Sequence, residues 1–199
     1  MPVDTVLTAS AVRLRGLDVV IDLRVDGAEL ALRRVHALGL CLTDVAALGA
    51  LLQIPTLSST PLVALPAAAR HVARRWPRVI EQVGGDRVRR RVSPIAYVEM
   101  VTLVTSHWRK GMREIGRFAP YSARLLQLPA EPSDLDLLCM EATYWGVGVR
   151  IESSGAWHDV VHPAPFTPAR YTGASWAFAE QAMAAAQAVG LSPWLPASA

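Results

Sequence analysis

Arginine supplies the most concentrated chemistry in this sequence. Eight of the nineteen arginines lie between residues 70 and 91, where Glu81 and Asp86 are the only acids, so this window carries +6. A guanidinium group pairs bidentately with phosphate or carboxylate oxygens. The pattern therefore favours contact with a polyanion, and it leaves open pairing with acidic protein groups or a solvated basic face. These eight residues, called the arginine block below, are Arg70, Arg74, Arg75, Arg78, Arg87, Arg89, Arg90 and Arg91.

A second set of side chains could hold a metal ion for hydrolysis. Four acids, Asp134, Asp136, Glu141 and Glu152, form the densest carboxylate cluster, and a nuclease would need such groups to bind magnesium. The acid-x-Lys pattern of many restriction-type nucleases is missing, because the only lysine, Lys110, has no acid two positions before it. Capping of a helix N-terminus explains Asp134 and Asp136 equally well. A divergent metal-dependent nuclease therefore remains an alternative.

Other signatures of catalysis or cofactor binding are weak. His158 and His162 lie in a segment with a strand pattern, where four residues span about 13 Å, too far for two ligands of one ion. Cys41 and Cys139 match no metal-binding or redox spacing. The sequence contains no Walker A motif and no G-x-S-x-G nucleophile motif. We expect no metal, no cofactor and no catalytic residues, and we predict that the protein is not an enzyme.

The arginine block must be positioned by a helix and a hairpin. Thr60 and Pro61 predict the start of a helix that is re-started or kinked at Pro66, with Arg70, Arg74 and Arg78 along one side. Its apolar side is formed by Ala69, Val72, Ala73 and Trp76. Residues 79–92 then predict a glycine-turn hairpin. In its second strand Arg87, Arg89 and Arg91 share one face, and Val88, Arg90 and Val92 share the other.

A strand and two further helices are predicted before this helix. Residues 18–25 predict a strand, residues 28–38 a helix that ends at Gly39, and residues 44–53 a second helix capped by Thr43. Three short helices followed by a hairpin is the order of a winged helix-turn-helix, and the segment GLCLTDVAALGALLQIP resembles the helix-turn-helix part of that fold class. The resemblance covers about residues 28–92 and implies a basic helix and wing that contact DNA.

The second half of the chain has a different composition. Ser93-Pro94 predicts a long helix over 94–110 with Tyr97, Val101, Val104 and Trp108 buried, and Arg109, Lys110, Arg113, Arg117 and Arg124 could extend the basic track. Ser133 predicts the cap of a helix over 134–145, and residues 147–163 predict a hairpin. A last helix over 174–189 carries Glu180 as its only charge. Such a helix packs between other elements, either inside this chain or against a partner protein.

The chain also contains a candidate membrane segment. Residues 45–69 lack ionisable side chains and are long enough to cross a bilayer, but Pro55, Pro61 and Pro66 would interrupt a spanning helix. We therefore predict no membrane span. The start of the sequence has no basic-then-apolar leader, and we expect a cytoplasmic bacterial protein.

Together these patterns predict an α+β protein with two parts. Residues 1–92 are expected to form a winged-helix-like basic domain, and residues 93–199 a small mixed helix and β-hairpin domain. The expected function is a non-enzymatic, nucleic-acid-binding subunit or regulator, with DNA favoured, that contacts phosphates through the arginine block. The alternatives are a structural or adaptor subunit of a larger bacterial assembly, which docks through helix 174–189, and the divergent nuclease. A salt series, the oligomeric state and plasmid cleavage separate the three hypotheses.

Overall fold

Two sheets of different size organise the chain, which is mixed α+β as the sequence predicts. The computed structural model describes residues 5–36, 43–168 and 170–190. In chain order the elements are β1 (Thr5–Leu14), β2 (Leu17–Val25), α1 (Gly27–Val35), α2 (Val45–Leu51), β3 (Thr60–Pro61), α3 (Ala67–Arg75), β4 (Ile80–Gln82), β5 (Arg87–Arg90), β6 (Ala96–Val104), α4 (Trp108–Ile115), β7 (Ala123–Leu128), α5 (Leu135–Trp145), β8 (Gly148–Ser153), β9 (Ala156–Val161) and α6 (Gly173–Ala188).

The chain divides into two compact units. The helical unit comprises Met1–Thr5, Val25–Tyr97 and Arg170–Ala184, and the sheet unit comprises Val6–Arg24, Val98–Ala169 and Ala185–Ala199. Within the described residues, no helix combines the length and the apolar character that a bilayer crossing requires.

The sheet unit is built on six strands in the order β1-β2-β6-β7-β8-β9. Strands β6, β7 and β8 run parallel, with Thr102 opposite Leu125 and Leu126 opposite Val149, and β9 pairs antiparallel with β8. Parallel neighbours need a crossover connection, which α4 supplies between β6 and β7 and α5 between β7 and β8. The hairpin predicted over 147–163 is confirmed as β8 and β9, and the helix predicted over 134–145 is confirmed as α5.

The long helix predicted over 94–110 is wrong. Residues 96–104 form strand β6, and the helix that follows, α4, begins only at Trp108. Burial alternates at the start of β6, where Ala96 and Val98 are buried and Tyr97 is 40% exposed. Four β-branched residues in this segment favour a strand, and pairing between β2 and β7 in the six-stranded sheet outweighs the Ser93-Pro94 cap signal. The second half of the chain therefore contains more β-strand than the sequence patterns predict.

The helical unit contains α1, α2, α3 and the antiparallel sheet β3-β5-β4, together with the first part of α6. Leu48, Ile54, Ala69, Val92 and Trp176 are fully buried in one hydrophobic cluster of this unit. The strand predicted over 18–25, the helix predicted from 28 and the hairpin over 79–92 are confirmed. The predicted break at Pro66 is confirmed, because a 3₁₀ turn at Leu62–Ala64 precedes Pro66 and α3 follows it. The predicted helix start at Thr60 and Pro61 is wrong, since these two residues form strand β3, which pairs with β5.

Two predicted helix caps are wrong. Asp44, not Thr43, caps α2 by accepting a 3.0 Å hydrogen bond from the backbone N–H of Ala47, which agrees with the stronger capping preference of aspartate. At α5 the capping position belongs to Asp134 instead of Ser133, and Asp134 makes no capping hydrogen bond. The predictions on Gly39 and Cys41 concern residues outside the described ranges.

Candidate functional site

Helix α3 presents part of the arginine block to solvent. Its buried side consists of Ala69, Val72 and Ala73, so Arg74 and Arg75 point away from the core and are exposed. Arg70 is half-buried, and its Nη1 donates a 3.1 Å hydrogen bond to the carbonyl oxygen of Val63. Pro77 ends the regular helix, and exposed Arg78 lies in the 3₁₀ turn that follows.

Strand β5 is the central strand of the small sheet, and its alternation follows the predicted period of two. Val88 and Val92 are buried, whereas Arg87 and Arg89 lie on the other face. Arg87 donates to the hydroxyl of Ser59 at 3.0 Å and also to its backbone carbonyl. These contacts tie Arg87 to the loop that leads into β3.

Arg89 is already neutralised inside the hairpin. It lies opposite Glu81 in the β4–β5 register and forms a bidentate ion pair with that carboxylate, at 2.8 and 2.9 Å. The hydrogen bonds from Arg89 hold the pKa of Glu81 below its usual value. Arg89 therefore offers less charge to a polyanion than its position in the block suggests.

Arg90 lies on the core-facing side of β5 with the two valines. Its Nε donates to the carbonyl of Ile54 at 3.2 Å and its Nη1 to that of Val92 at 2.7 Å. Its guanidinium carbon lies 5.0 Å from the centre of the buried Trp176 ring, a cation–π contact. Burial lowers the pKa of Arg90. The geometry gives Arg90 a part in packing the helical unit.

The helix and the end of the hairpin meet at one groove of about 580 Å³. Arg74 of α3 and Arg91, the residue that follows β5, both line this groove. The other lining residues are Leu62, Ala73, Pro77, Ile80, Gln82 and Val88. The side chains of Arg74, Arg75, Arg78 and Arg91 make no hydrogen bond or ion pair with any residue that the structure describes. Half of the arginine block is thus engaged within the chain, and the other half is open.

The predicted carboxylate cluster is partly committed to structural contacts in the sheet unit. Asp134 accepts a 2.8 Å hydrogen bond from the indole Nε1 of Trp108 and pairs with Arg109. The hydrogen bond from Trp108 lowers the pKa of Asp134. His158 lies on strand β9 and His162 follows it. Across the described ranges, no three histidine, cysteine or acidic side chains come close enough to hold a metal ion.

Glu180 of the last helix, α6, belongs to a buried ionic cluster with α1 that the charge patterns above do not predict. The carboxylate of Glu180 accepts hydrogen bonds from Nη1 and Nη2 of Arg33 on α1 at 2.8 and 2.6 Å, and from Nε1 of Trp176 at 2.8 Å. Arg33 also donates to Glu29 at 2.7 Å, and both Arg33 and Glu180 have no exposed surface. Burial raises the pKa of Glu29.

This cluster shows where the apolar helix packs. Trp176 and Ala177 of α6 belong to the core of the helical unit, so this part of the helix is enclosed by the chain's own elements. Two sequence signals pointed to the cluster: the i, i+4 spacing of Glu29 and Arg33, and the isolation of Glu180 in an apolar helix.

Comparison of the chain with protein-family models, with curated proteins and with solved structures finds no significant match.

Proposed function

We propose that this protein is a non-enzymatic, nucleic-acid-binding subunit or regulator of a bacterial system. In this proposal, the phosphates of duplex DNA contact Arg74, Arg75, Arg78 and Arg91. The observation that supports it best is the groove of the helical unit, where Arg74 of α3 and Arg91 beyond β5 lie together without an ion-pair partner among the described residues.

The chemistry of the groove suits phosphate. Guanidinium groups bind phosphate oxygens through two parallel N–H bonds, and they do so at the lowest cost when no carboxylate must be displaced. That condition separates Arg74 and Arg91 from Arg89, which would have to leave Glu81. Contacts of this kind position a duplex and carry little sequence information.

We further propose that the helical unit works as a winged-helix-like module. Three helices precede the β4–β5 hairpin, and the short strand β3 completes a three-stranded antiparallel sheet with it. This order supports a basic helix, α3, next to a wing formed by the hairpin. In such a module the open arginines of α3 and Arg91 would flank the same stretch of backbone.

A salt series tests this proposal. Binding of a fluorescent 20-base-pair duplex is measured by anisotropy between about 50 and 200 mM salt, where phosphate contacts give a steep negative slope of log affinity on log salt. Replacing both Arg74 and Arg91 with alanine should reduce the slope by about two, roughly one for each lost contact. Circular dichroism confirms that the variants remain folded.

The matched control preserves net charge on the same hairpin. The double variant Arg89→Gln, Glu81→Gln removes one cation together with its ion-pair partner. We therefore expect its salt slope to equal that of the wild type. The proposal is wrong if the wild-type slope is flat, or if this control loses as much affinity as the Arg74 and Arg91 variant.

One observation favours a second candidate function, a structural or adaptor subunit of a larger assembly. Four large side chains on α5 are solvent-exposed: Leu137 by 41%, Met140 by 70%, Tyr144 by 80% and Trp145 by 60%. A contiguous apolar patch of this kind is common at protein interfaces. Light scattering during size exclusion tests this candidate. A soluble monomer whose elution is unchanged by Met140→Glu counts against it.

A further inference from the structure

The topology of the sheet unit brings three chain segments together at one end of the parallel strands. A helix that connects two parallel strands runs back across the sheet, so it ends near the start of the next strand. Helix α4 therefore ends near the beginning of β7, where Arg124 lies. Helix α5 ends at Trp145, near the beginning of β8, and Val147 lies between the two elements. The sequence separates these residues, but the crossovers place them together.

A pocket of about 360 Å³ lies at this junction, which is within the usual size range of small-molecule sites, about 300–1,000 Å³. Its wall combines three arginines, one carboxylate, an indole ring and small or apolar side chains. The lining residues are Arg109, Met112, Arg113, Gly116, Ala119, Arg124, Glu141, Trp145 and Val147. Met112 and Val147 are buried, whereas Trp145 is 60% exposed.

The three arginines differ in the hydrogen bonds and ion pairs that their guanidinium groups already make within the chain. Arg109 pairs with Asp134 and stacks on Trp108, with its guanidinium carbon 4.4 Å from the ring centre. Arg124 donates to the carbonyl oxygen of Trp145 at 2.5 Å, and burial lowers its pKa. The side chain of Arg113 is exposed and makes no hydrogen bond or ion pair within the part of the chain that the structure describes. Two cations therefore face the pocket without a carboxylate partner of their own.

We infer that this pocket binds a nucleotide, with the phosphate on Arg113 and Arg124, the base against Trp145 and a hydroxyl or amino group on Glu141. A phosphate monoester matches the guanidinium forks, and an exposed indole provides the flat surface on which a base stacks. Glu141 is the one carboxylate among the lining residues of a cationic wall, which suits a ligand that also carries N–H or O–H donors. This site belongs to the sheet unit, so it is independent of the duplex-binding proposal.

Titration calorimetry of the full-length protein tests the inference with adenosine 5′-monophosphate, adenosine and inorganic phosphate as probes. We expect the monophosphate to bind more tightly than either fragment. Arg113→Ala and Arg124→Ala should each weaken its binding about tenfold or more, the effect of losing a hydrogen bond to a charged group. Arg117→Ala is the matched control, because Arg117 is an exposed arginine near the same helix end that does not line the pocket.

A variant that blocks the pocket distinguishes loss of the binding site from loss of the fold. A Cβ added at Gly116 would meet no atom within 4 Å, and the backbone there is helical, so Gly116→Leu should fold and fill the pocket. We expect it to abolish monophosphate binding without lowering the melting temperature.

Three results would overturn the inference. The first is no binding of the monophosphate at millimolar concentration, which would mean that these arginines only neutralise helix ends. The second is equal losses in the Arg113 and Arg117 variants. The third is inorganic phosphate that binds as tightly as the monophosphate, which would remove the base from the assignment. None of these results depends on duplex binding by Arg74 and Arg91.

Discussion

Arg33 and Arg74 belong to the same unit and carry the same charge, but their surroundings give them opposite roles. Arg33 has no exposed surface and is held by the carboxylates of Glu29 and Glu180, whereas Arg74 is exposed, lines a groove and has no partner among the described residues. A buried cation must be paired to be tolerated, and an exposed one keeps its bonding capacity for a ligand. Charge density along the sequence does not distinguish these two kinds of arginine, but burial and partners do.

The largest effect should come from removing the main partner of Arg33. Glu180→Gln removes the carboxylate that accepts three hydrogen bonds, two from Arg33 and one from Trp176. We expect the free energy of unfolding to fall by about 3–5 kcal/mol, because a buried cation loses its principal counter-charge. Urea denaturation followed by tryptophan fluorescence measures the loss. An effect below that of Glu29→Gln would show that the pair is not the main anchor of Arg33.

The close contact between α6 and α2 should give the next largest effect. A Cβ on Gly173 would lie 2.4 Å from the carbonyl oxygen of Val45 and 2.5 Å from the backbone nitrogen of Gly49. Gly173→Ala should therefore cost about 1–3 kcal/mol of stability, because backbone atoms must move apart. Gly49→Ala is the control, since its Cβ meets no atom within 4 Å and alanine favours the helix by about 0.5–1 kcal/mol. Equal melting temperatures for the two variants would argue against tight packing here.

Neighbouring arginines on the hairpin allow the sharpest test of the comparison. Arg90→Met removes two hydrogen bonds and the contact with Trp176, so it should cost about 1–2 kcal/mol of stability. Arg91→Met should leave stability unchanged but weaken duplex binding and lower its salt slope by about one. Thermal melts and anisotropy titrations on both variants separate the two effects. The distinction fails if Arg91→Met destabilises the fold as much as Arg90→Met does.

The features that the sequence predicted correctly depend on local patterns. The prolines around α3, the glycine turn of the hairpin and the alternation that places Arg90 with the valines of β5 are short-range signals. The strand β6 was mistaken for a helix because its strand state depends on neighbours in the six-stranded sheet. The Arg33–Glu180 pair joins residues 147 positions apart, and the Arg113–Arg124 pocket depends on two crossovers. A pattern that is read within a short stretch of sequence cannot predict contacts between residues this far apart.

The smallest predicted effect concerns the second carboxylate of the buried cluster and its dependence on pH. Burial raises the pKa of Glu29 in the folded protein above its ordinary value, so this group contributes stability at low pH and loses it as pH rises through the folded pKa. Glutamine cannot ionise, so Glu29→Gln should gain stability relative to the wild type as the pH rises above the ordinary pKa of a glutamate, about 4.3. Urea denaturation at a series of pH values gives the difference. If Glu29→Gln instead loses stability relative to the wild type as the pH rises, then Arg33 holds both carboxylates ionised and the cluster tolerates a net negative charge.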